Sequence, residues 1–160
     1  MMPPFPDKPP RLREIFAKFD PPIYFVTFCT WRRARILACE AAHAAFIEYA
    51  TQNLSRGIYT GRYVLMPDHV HLFVSLPRHL RLEHYVRLLK QHLNPTLRLG
   101  SPTDRLWQPG FFDHLIRAHE SYEEKWDYVL QNPVRAGLVE RWQDWPYQGE
   151  IERIRSTSHQ

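Results

Sequence analysis

The sequence predicts an α+β fold of the ferredoxin-like (RRM-like) type, a β-α-β-β-α-β antiparallel sheet with helices on one face and an extra C-terminal helix. Short runs rich in β-branched and aromatic residues alternate with longer helical patterns, and two of the runs meet at a Pro-Asp turn. The order of these elements is that of the split βαβ motif. Such a sheet leaves the face opposite its helices for another role.

The first half of the chain supplies the β-α-β-β part. Residues 23–31, IYFVTFCTW, predict a strand because they are dense in β-branched and aromatic side chains. The Ala-rich segment 38–57 predicts a helix that ends at Gly57. Residues 58–66 and 69–77 predict two strands, which the intervening proline and aspartate join as a hairpin.

The second half supplies a helix, a short strand and the extra helix. Residues 81–94 predict a helix that ends near Pro95, and residues 111–118 predict the fourth strand. Residues 121–132 predict a last helix, stopped by Pro133. Its apolar stripe, at helical spacing, comprises Tyr122, Trp126, Val129, Leu130 and Pro133.

The length and composition predict a single globular domain. Of 160 residues, 44% are hydrophobic and 24% charged. We expect a flexible Pro-rich arm over 1–21, the domain over 22–148 and a polar tail over 149–160. The chain has only two cysteines and no CxxC, no signal peptide pattern and no apolar run of about 18 residues, so a reduced, cytoplasmic protein without a membrane span is expected.

Two histidines, His69 and His71, lie two apart in the predicted strand 69–77. Because side chains alternate along a strand, both imidazoles point away from the face that carries the valines and leucines. Their backbones are roughly 6.5–7 Å apart, a spacing from which two rings converge on one divalent ion. From this pattern alone, two half-exposed histidines sharing a strand face are the more ordinary interpretation.

The helix predicted over 121–132 offers a partner. Tyr128 lies in the middle of its polar face, so burial in the apolar stripe does not explain this ring. Asn132 is four residues further on, and it therefore lies beside the tyrosine on a helix. An amide oxygen could complete a metal site, and a phenol could act as a nucleophile once activated.

Three segments carry a resemblance to a known family. The segment YVLMPDHVHLFVSLP resembles the signature strand of the single-tyrosine HUH transposases, the IS200-like group. The segments GFFDHLIRAHESYEEKWDYVLQNPVRAGLV and DWPY are similar to the C-terminal half of the REP-associated tyrosine transposases, and YFVTFCTWRR is similar to their first strand. The resemblance covers roughly residues 22 to 148, in the same order.

The resemblance implies a site and a reaction. It implies that His69 and His71 are the ligands of a catalytic Mg²⁺ or Mn²⁺, that Tyr128 is the nucleophile, and that Asn132 takes the third ligand position, where several relatives have Gln. The implied reaction is transesterification of single-stranded or hairpin DNA of the REP type. A 5′-phosphotyrosine link forms and a 3′-hydroxyl is released. Storage of the bond energy in that link agrees with the lack of a phosphate-binding loop motif.

A polyanionic partner also fits the formal net charge of +4. Trp107, Phe111 and Phe112 could stack on unpaired bases, although Trp107 and Phe112 are explained equally well as core. The candidate phosphate contacts are Arg32, Arg33, Arg35, Arg87, Lys90 and Arg135, with Lys8, Arg11 and Arg13 on the arm.

Two other functions are open at this point. One is a non-catalytic nucleic-acid-binding module, although such sheets carry aromatic residues where this one carries histidines. The other is a zinc hydrolase, although the chain lacks an H-E-x-x-H motif. The resemblance implies a bacterial protein associated with the nucleoid. It leaves open whether the protein is a monomer or a homodimer and whether the tyrosine acts in cis or in trans.

Overall fold

The structure, a computed structural model, describes residues 21–117 and 119–154, without the side chains of residues 119 and 120. The arm predicted over 1–21 lies outside the described residues except for Pro21, and so do residues 155–160 of the predicted tail. No helix in the described part is long and apolar enough to cross a membrane.

A five-stranded antiparallel sheet in the order β4-β1-β3-β2-β5 forms the centre of the fold, which confirms the predicted α+β class. The strand β3 lies in the middle and pairs along its length with β1. The strands are β1 (Ile23–Cys29), β2 (Tyr59–Leu65), β3 (His69–Ser75), β4 (Phe112–Ile116) and β5 (Gln148–Glu150).

The described residues form four α-helices: α1 (Glu40–Gln52), α2 (Leu82–Arg98), α3 (His119–Leu130) and α4 (Asn132–Arg135). Gly57 has a φ of 75° and ends a 3₁₀ turn that follows α1, so the predicted glycine stop is confirmed.

The sequence predicts that the second helix ends near Pro95. In the structure α2 instead continues about one turn beyond this proline, to Arg98. Leu93 and Leu97 lie four residues apart on either side of the proline, and both are buried. Burial of this continuous apolar stripe outweighs the loss of one backbone hydrogen bond at the proline.

The two faces of the sheet have different cover. The helices α1 and α2 pack on the face that carries Val70, Leu72 and Val74 of β3, which is the layer the sequence predicted. The opposite face, which we expected to be open, is partly covered because α3 lies on it. There the buried ring of Phe73 contacts Tyr122, with 4.2 Å between the ring centroids.

The predicted helix 121–132 is divided into two pieces. It ends at Leu130 in the structure, and Asn132 starts the four-residue helix α4. Pro133 explains the division, because its ring clashes with a carbonyl one turn earlier yet suits the first turn of a new helix. Tyr128 and Asn132 therefore belong to different helices, contrary to the prediction.

The domain extends beyond residue 148. Gln148–Glu150 forms the edge strand β5 beside β2, and the carboxylate of Glu150 lies 3.2 Å from Nε of Arg62. The backbone amide of Glu152 donates to the carbonyl of Thr60 over 2.9 Å. The prediction of a loosely held tail is therefore wrong for residues 149–152. Their polar sequence gives no strand pattern, and pairing with β2 and packing of Ile151 against the core order them.

Two phenylalanines on the same sheet face test the packing of α3. We expect Phe73→Ala to lower the free energy of unfolding by about 3–5 kcal/mol, because Phe73 is fully buried under α3. We expect Phe112→Ala to change it by less than about 0.5 kcal/mol, because that side chain is 67% exposed. Urea unfolding measures both values, and similar losses in the two variants would contradict the described packing.

Candidate active site

The imidazoles of His69 and His71 lie side by side at the start of β3, on the sheet face that α3 partly covers. Their ring centroids are 4.7 Å apart and the rings are nearly perpendicular. Nδ1 of His69 lies 2.7 Å from Oδ1 of Asp68, and Nδ1 of His71 lies 2.7 Å from Oγ1 of Thr27. No hydrogen bond to Nε2 of either ring comes from the residues that the structure describes. The Nε2 atoms are therefore the ones left to bind a cation.

Both histidines are neutral at pH 7. Burial lowers the pKa of His71 to about 3, and the positive charges around it, Lys125 and Arg135 among them, act in the same direction. Burial also lowers the pKa of His69, although the adjacent Asp68 opposes the change. The ring of Phe25 stacks on His71 with 5.3 Å between centroids and contributes to its burial. Neutral imidazole is the form that binds metal ions.

Asp68 is a site residue that the sequence analysis missed. Burial alone would raise the pKa of its carboxyl, but hydrogen bonds with His69 and Arg33 hold this pKa below its usual range. The carboxylate is thus ionised beside the first histidine. Its position directly before His69 in the chain was the available signal, because a carboxylate beside a metal-binding histidine commonly orients the ring.

Tyr128 stands at the surface of α3, where its side chain is 66% exposed. It borders a cleft of about 340 Å³ between α3 and β4. The same helix places Nζ of Lys125 5.0 Å from the ring centroid of Phe25, the ring that stacks on His71. Apart from Tyr128, the cleft is lined by His114, Ile116, Ser121, Glu124 and Lys125.

Arg135 links Tyr128 to Asn132. Its guanidinium lies 4.0 Å from the centroid of the Tyr128 ring and donates to the Tyr128 carbonyl over 2.7 Å. It also donates to Oδ1 of Asn132. The amide oxygen that the sequence offered as a third metal ligand is therefore engaged by an arginine.

The donor set suits a hard divalent cation only if other oxygens complete it. In the described part of the chain, no group of three or more His, Cys, Asp or Glu side chains could hold a metal ion. Two Nε2 atoms and one amide oxygen would fill three of the six positions of an octahedral ion and leave three open. Mg²⁺ and Mn²⁺ accept such sites because water and phosphate oxygens fill the remaining positions.

The candidate DNA contacts are distributed over both sides of the sheet. Arg33 and Arg135 lie at the site, and Arg32 and Arg35 are exposed in the segment after β1. Arg87 belongs to α2, in the layer on the opposite side of the sheet.

Lys90, another predicted DNA contact, is engaged within the protein. Its ammonium donates to the carbonyl oxygens of Gln108 and Gly110 over 3.2 and 2.8 Å. Burial lowers the pKa of Lys90. In this structure the side chain therefore holds the loop before β4.

The three aromatic residues proposed to stack on bases differ in burial. Trp107 packs against Phe28 in the core, with 5.3 Å between ring centroids, and Phe111 is partly buried against the same core. Phe112 is exposed on the face of the histidines. Arg105 stacks on Trp31 at 3.7 Å from the ring centroid, a basic and aromatic pair that the sequence analysis did not identify.

Comparisons with known proteins place these features in a family context. Residues 22–131 match the family model described as transposase IS200 like. A REP-associated tyrosine transposase of Escherichia coli is 31% identical over 86 residues, which is 53% of this chain and 50% of that protein. A Haemophilus influenzae protein assigned to the same group is 31% identical over 94 residues, which is 52% of this chain and 53% of its own length. The chain thus spans about half the length of the curated relatives it matches.

A solved structure of a REP-associated tyrosine transposase bound to a REP hairpin is also similar. It superposes with a TM-score of 0.63 at 26% sequence identity. The match covers 80% of this chain and 76% of the other.

The neutral state of His71 predicts a pH-dependent stability. In the unfolded chain His71 has its ordinary pKa of 6.5. Between pH 6.5 and about 3, His71 is therefore protonated in the unfolded chain and neutral in the folded chain. The free energy of unfolding must fall as the pH falls through that window. Between pH 7 and pH 5 we expect the wild type to lose about 1–2 kcal/mol more than His71→Gln.

Urea unfolding of both proteins at the two pH values measures this difference. The other histidines are common to the two proteins, so their contributions cancel in the comparison. Equal losses would show that His71 takes up a proton as readily in the folded chain as in the unfolded one.

Proposed function

The chain belongs to the IS200-like transposase family, and we propose that it cleaves and rejoins single-stranded DNA through a 5′-phosphotyrosine intermediate. We further propose that its substrate is hairpin DNA of the REP type. One observation carries the proposal: two neutral histidines with their Nε2 atoms available lie on the same sheet face as the helix that presents Tyr128.

The histidine pair would hold a divalent cation, Mg²⁺ or Mn²⁺. His69 and His71 would bind it through Nε2, and Asn132 is the candidate for a third ligand once Arg135 releases its amide oxygen. A bound divalent cation supplies positive charge to the oxygens of a scissile phosphate. Because both rings are already held through Nδ1, these residues would position the cation.

Tyr128 would act as the nucleophile. Its phenolic oxygen would attack the scissile phosphorus and form a new O–P bond. The bond between phosphorus and the 3′ oxygen breaks, so the phosphorus stays on the 5′ oxygen of the next nucleotide. The phenol gives up its proton, and the departing oxygen takes one up to become a 3′-hydroxyl. Attack of a 3′-hydroxyl on the phosphotyrosine reverses these steps and joins strands without ATP.

The positive side chains beside Tyr128 would stabilise the negative charge that develops on the phenolic oxygen and the phosphate in this step. The guanidinium of Arg135 lies over the phenol ring, and Lys125 lines the cleft on the same helix. The cleft itself is open to solvent at Tyr128, so a flexible single strand can approach the phenol. Exposed Phe112, on the same face, is a candidate for stacking on an unpaired base.

A purely binding module on an open sheet has less support. Modules of that type stack bases on aromatic side chains of a free sheet face. Here α3 covers part of that face and buries Phe73, and the part beyond it carries the histidine pair as well as the exposed ring of Phe112.

The nucleophile is tested by trapping the intermediate. We expect wild-type protein with end-labelled hairpin DNA and Mn²⁺ to form a covalent adduct that survives denaturing electrophoresis. Tyr128→Phe should reduce the adduct by at least about 10³-fold, because phenylalanine has no attacking oxygen. Tyr59→Phe is the control, since Tyr59 is also an exposed tyrosine, 40% exposed, on β2. An adduct that persists in Tyr128→Phe would refute the assignment, and cleavage without any adduct would favour a hydrolase.

The third ligand is tested by comparing the Mn²⁺ affinities of two variants, each of which lacks one of two neighbouring side-chain amides. We expect Asn132→Ala to weaken Mn²⁺ binding by about tenfold in the presence of a non-cleavable single strand, because one oxygen ligand is removed. Gln131→Ala should leave the affinity within about twofold, although Gln131 is similarly half-buried and immediately precedes Asn132. Electron paramagnetic resonance of free Mn²⁺ measures both affinities. Equal affinities in the two variants would remove Asn132 from the ligand set.

A further inference from the structure

We propose that Arg33 and Asp68 form a positioning pair that fixes the orientation and tautomer of His69 for metal binding. The sequence had suggested that Arg33 contacts DNA phosphates. The inference deepens the proposed function and rests on it, because it concerns how the chain prepares one of the two imidazoles.

The carboxylate of Asp68 is shared between two partners. Its Oδ1 accepts from Nδ1 of His69 over 2.7 Å, and its Oδ2 accepts from Nε of Arg33 over 2.9 Å. With both oxygens engaged, the carboxylate cannot rotate without losing one of these contacts. The proton of His69 therefore stays on Nδ1, and its Nε2 keeps a lone pair directed at the site.

Arg33 is held at more than one point. Its Nε group donates to Asp68 over 2.9 Å, and its NH1 group donates to Sγ of Cys29 over 2.9 Å. Cys29 is the residue of β1 that pairs directly with His69 across the sheet. The guanidinium therefore spans the strand pair at the histidine, although 53% of the side chain is exposed.

The backbone is shaped for this contact. Arg32 and Arg33 have φ values of 52° and 56°, a conformation that residues other than glycine rarely adopt. Thr30, just before them, donates to the carbonyl of Asp68 from its amide over 3.0 Å and from its hydroxyl over 3.1 Å. The turn after β1 and the turn before β3 are thus joined through main chain and side chain, which compensates the unfavourable dihedral angles.

The two histidines differ in this respect. His71 is oriented by the neutral hydroxyl of Thr27, whereas His69 is oriented by an ionised carboxylate that an arginine braces. A phosphate contact by Arg33 would have to compete with Asp68 for the guanidinium. Loss of Arg33 should therefore affect metal binding before it affects DNA binding.

The test measures Mn²⁺ affinity without DNA and hairpin affinity in EDTA for each variant. We expect Asp68→Asn to weaken Mn²⁺ binding by about 10–100-fold and Arg33→Gln by about tenfold. The affinity of Arg33→Lys should lie between that of the wild type and that of Arg33→Gln, because lysine keeps the charge but not the planar guanidinium. Hairpin affinity in EDTA should stay within about threefold. The control is Arg141→Gln, which breaks another exposed arginine–aspartate pair, the one between Arg141 and Asp144, 3.5 Å apart. It should leave Mn²⁺ affinity unchanged.

A spectroscopic readout separates positioning from a general loss of structure. Nitrogen-15 NMR of the metal-free protein should show His69 protonated on Nδ1 in the wild type and a mixture of tautomers in Asp68→Asn and Arg33→Gln. Urea unfolding confirms that the compared variants are folded.

Three outcomes are decisive. Unchanged Mn²⁺ affinity and tautomer in Arg33→Gln, with weaker hairpin binding, would overturn the inference and make Arg33 a DNA contact. Unchanged Mn²⁺ affinity in Asp68→Asn would overturn it while the metal site itself stands. Failure of the wild type to bind Mn²⁺ with or without DNA would instead remove the proposed metal site, and the inference with it.

Discussion

The register of the central strand β3 is the constraint on which the rest of the structure depends. Pairing with β1 matches His69 to Cys29 and His71 to Thr27, and pairing with β2 fixes the other side. Alternation then sends Val70 and Leu72 into the helix layer, where both are fully buried. A slip of one residue would place both imidazoles in that apolar core and expose the valines. The energy that buries one face therefore also assembles the histidine pair on the other.

Period-two and period-3.6 patterns made this much predictable from the sequence. The order of the elements, the face of His69 and His71 and the apolar stripe of α3 all follow from where apolar residues recur, and the structure has them as predicted. Tyr128 was singled out because it breaks the stripe, and its side chain is exposed. These features depend on local spacing and on burial, which the chain encodes residue by residue.

The remaining features depend on contacts between distant segments. The sequence does not state that α3 covers the histidine face, since an amphipathic stripe can pack on either side of a sheet. It does not state that Arg33 turns back onto Asp68, because that contact needs a backbone conformation rare for arginine. Lys90 is a similar case. A lysine on a helix is expected to be solvated, and its bonds to the carbonyl oxygens of Gln108 and Gly110 depend on how a distant loop folds. The edge strand β5 is ordered by its pairing with β2 and by the Gln148 side chain, which donates to the carbonyl oxygens of Trp142 and Trp145.

In the proposed function, the charges at the site would couple cation binding to DNA binding. Burial keeps His69 and His71 neutral, while Arg33, Lys125 and Arg135 bring positive charge close to His71. A divalent cation at the two Nε2 atoms would add to a field that is already positive, and among the described residues Asp68 is the carboxylate that opposes it from within hydrogen-bonding distance of His69. A phosphate backbone supplies the missing negative charge. If the proposed function holds, the electrostatics of the site would favour binding of the cation together with DNA over binding of the cation alone, because the phosphates would offset the positive charge of the cation and of the nearby side chains.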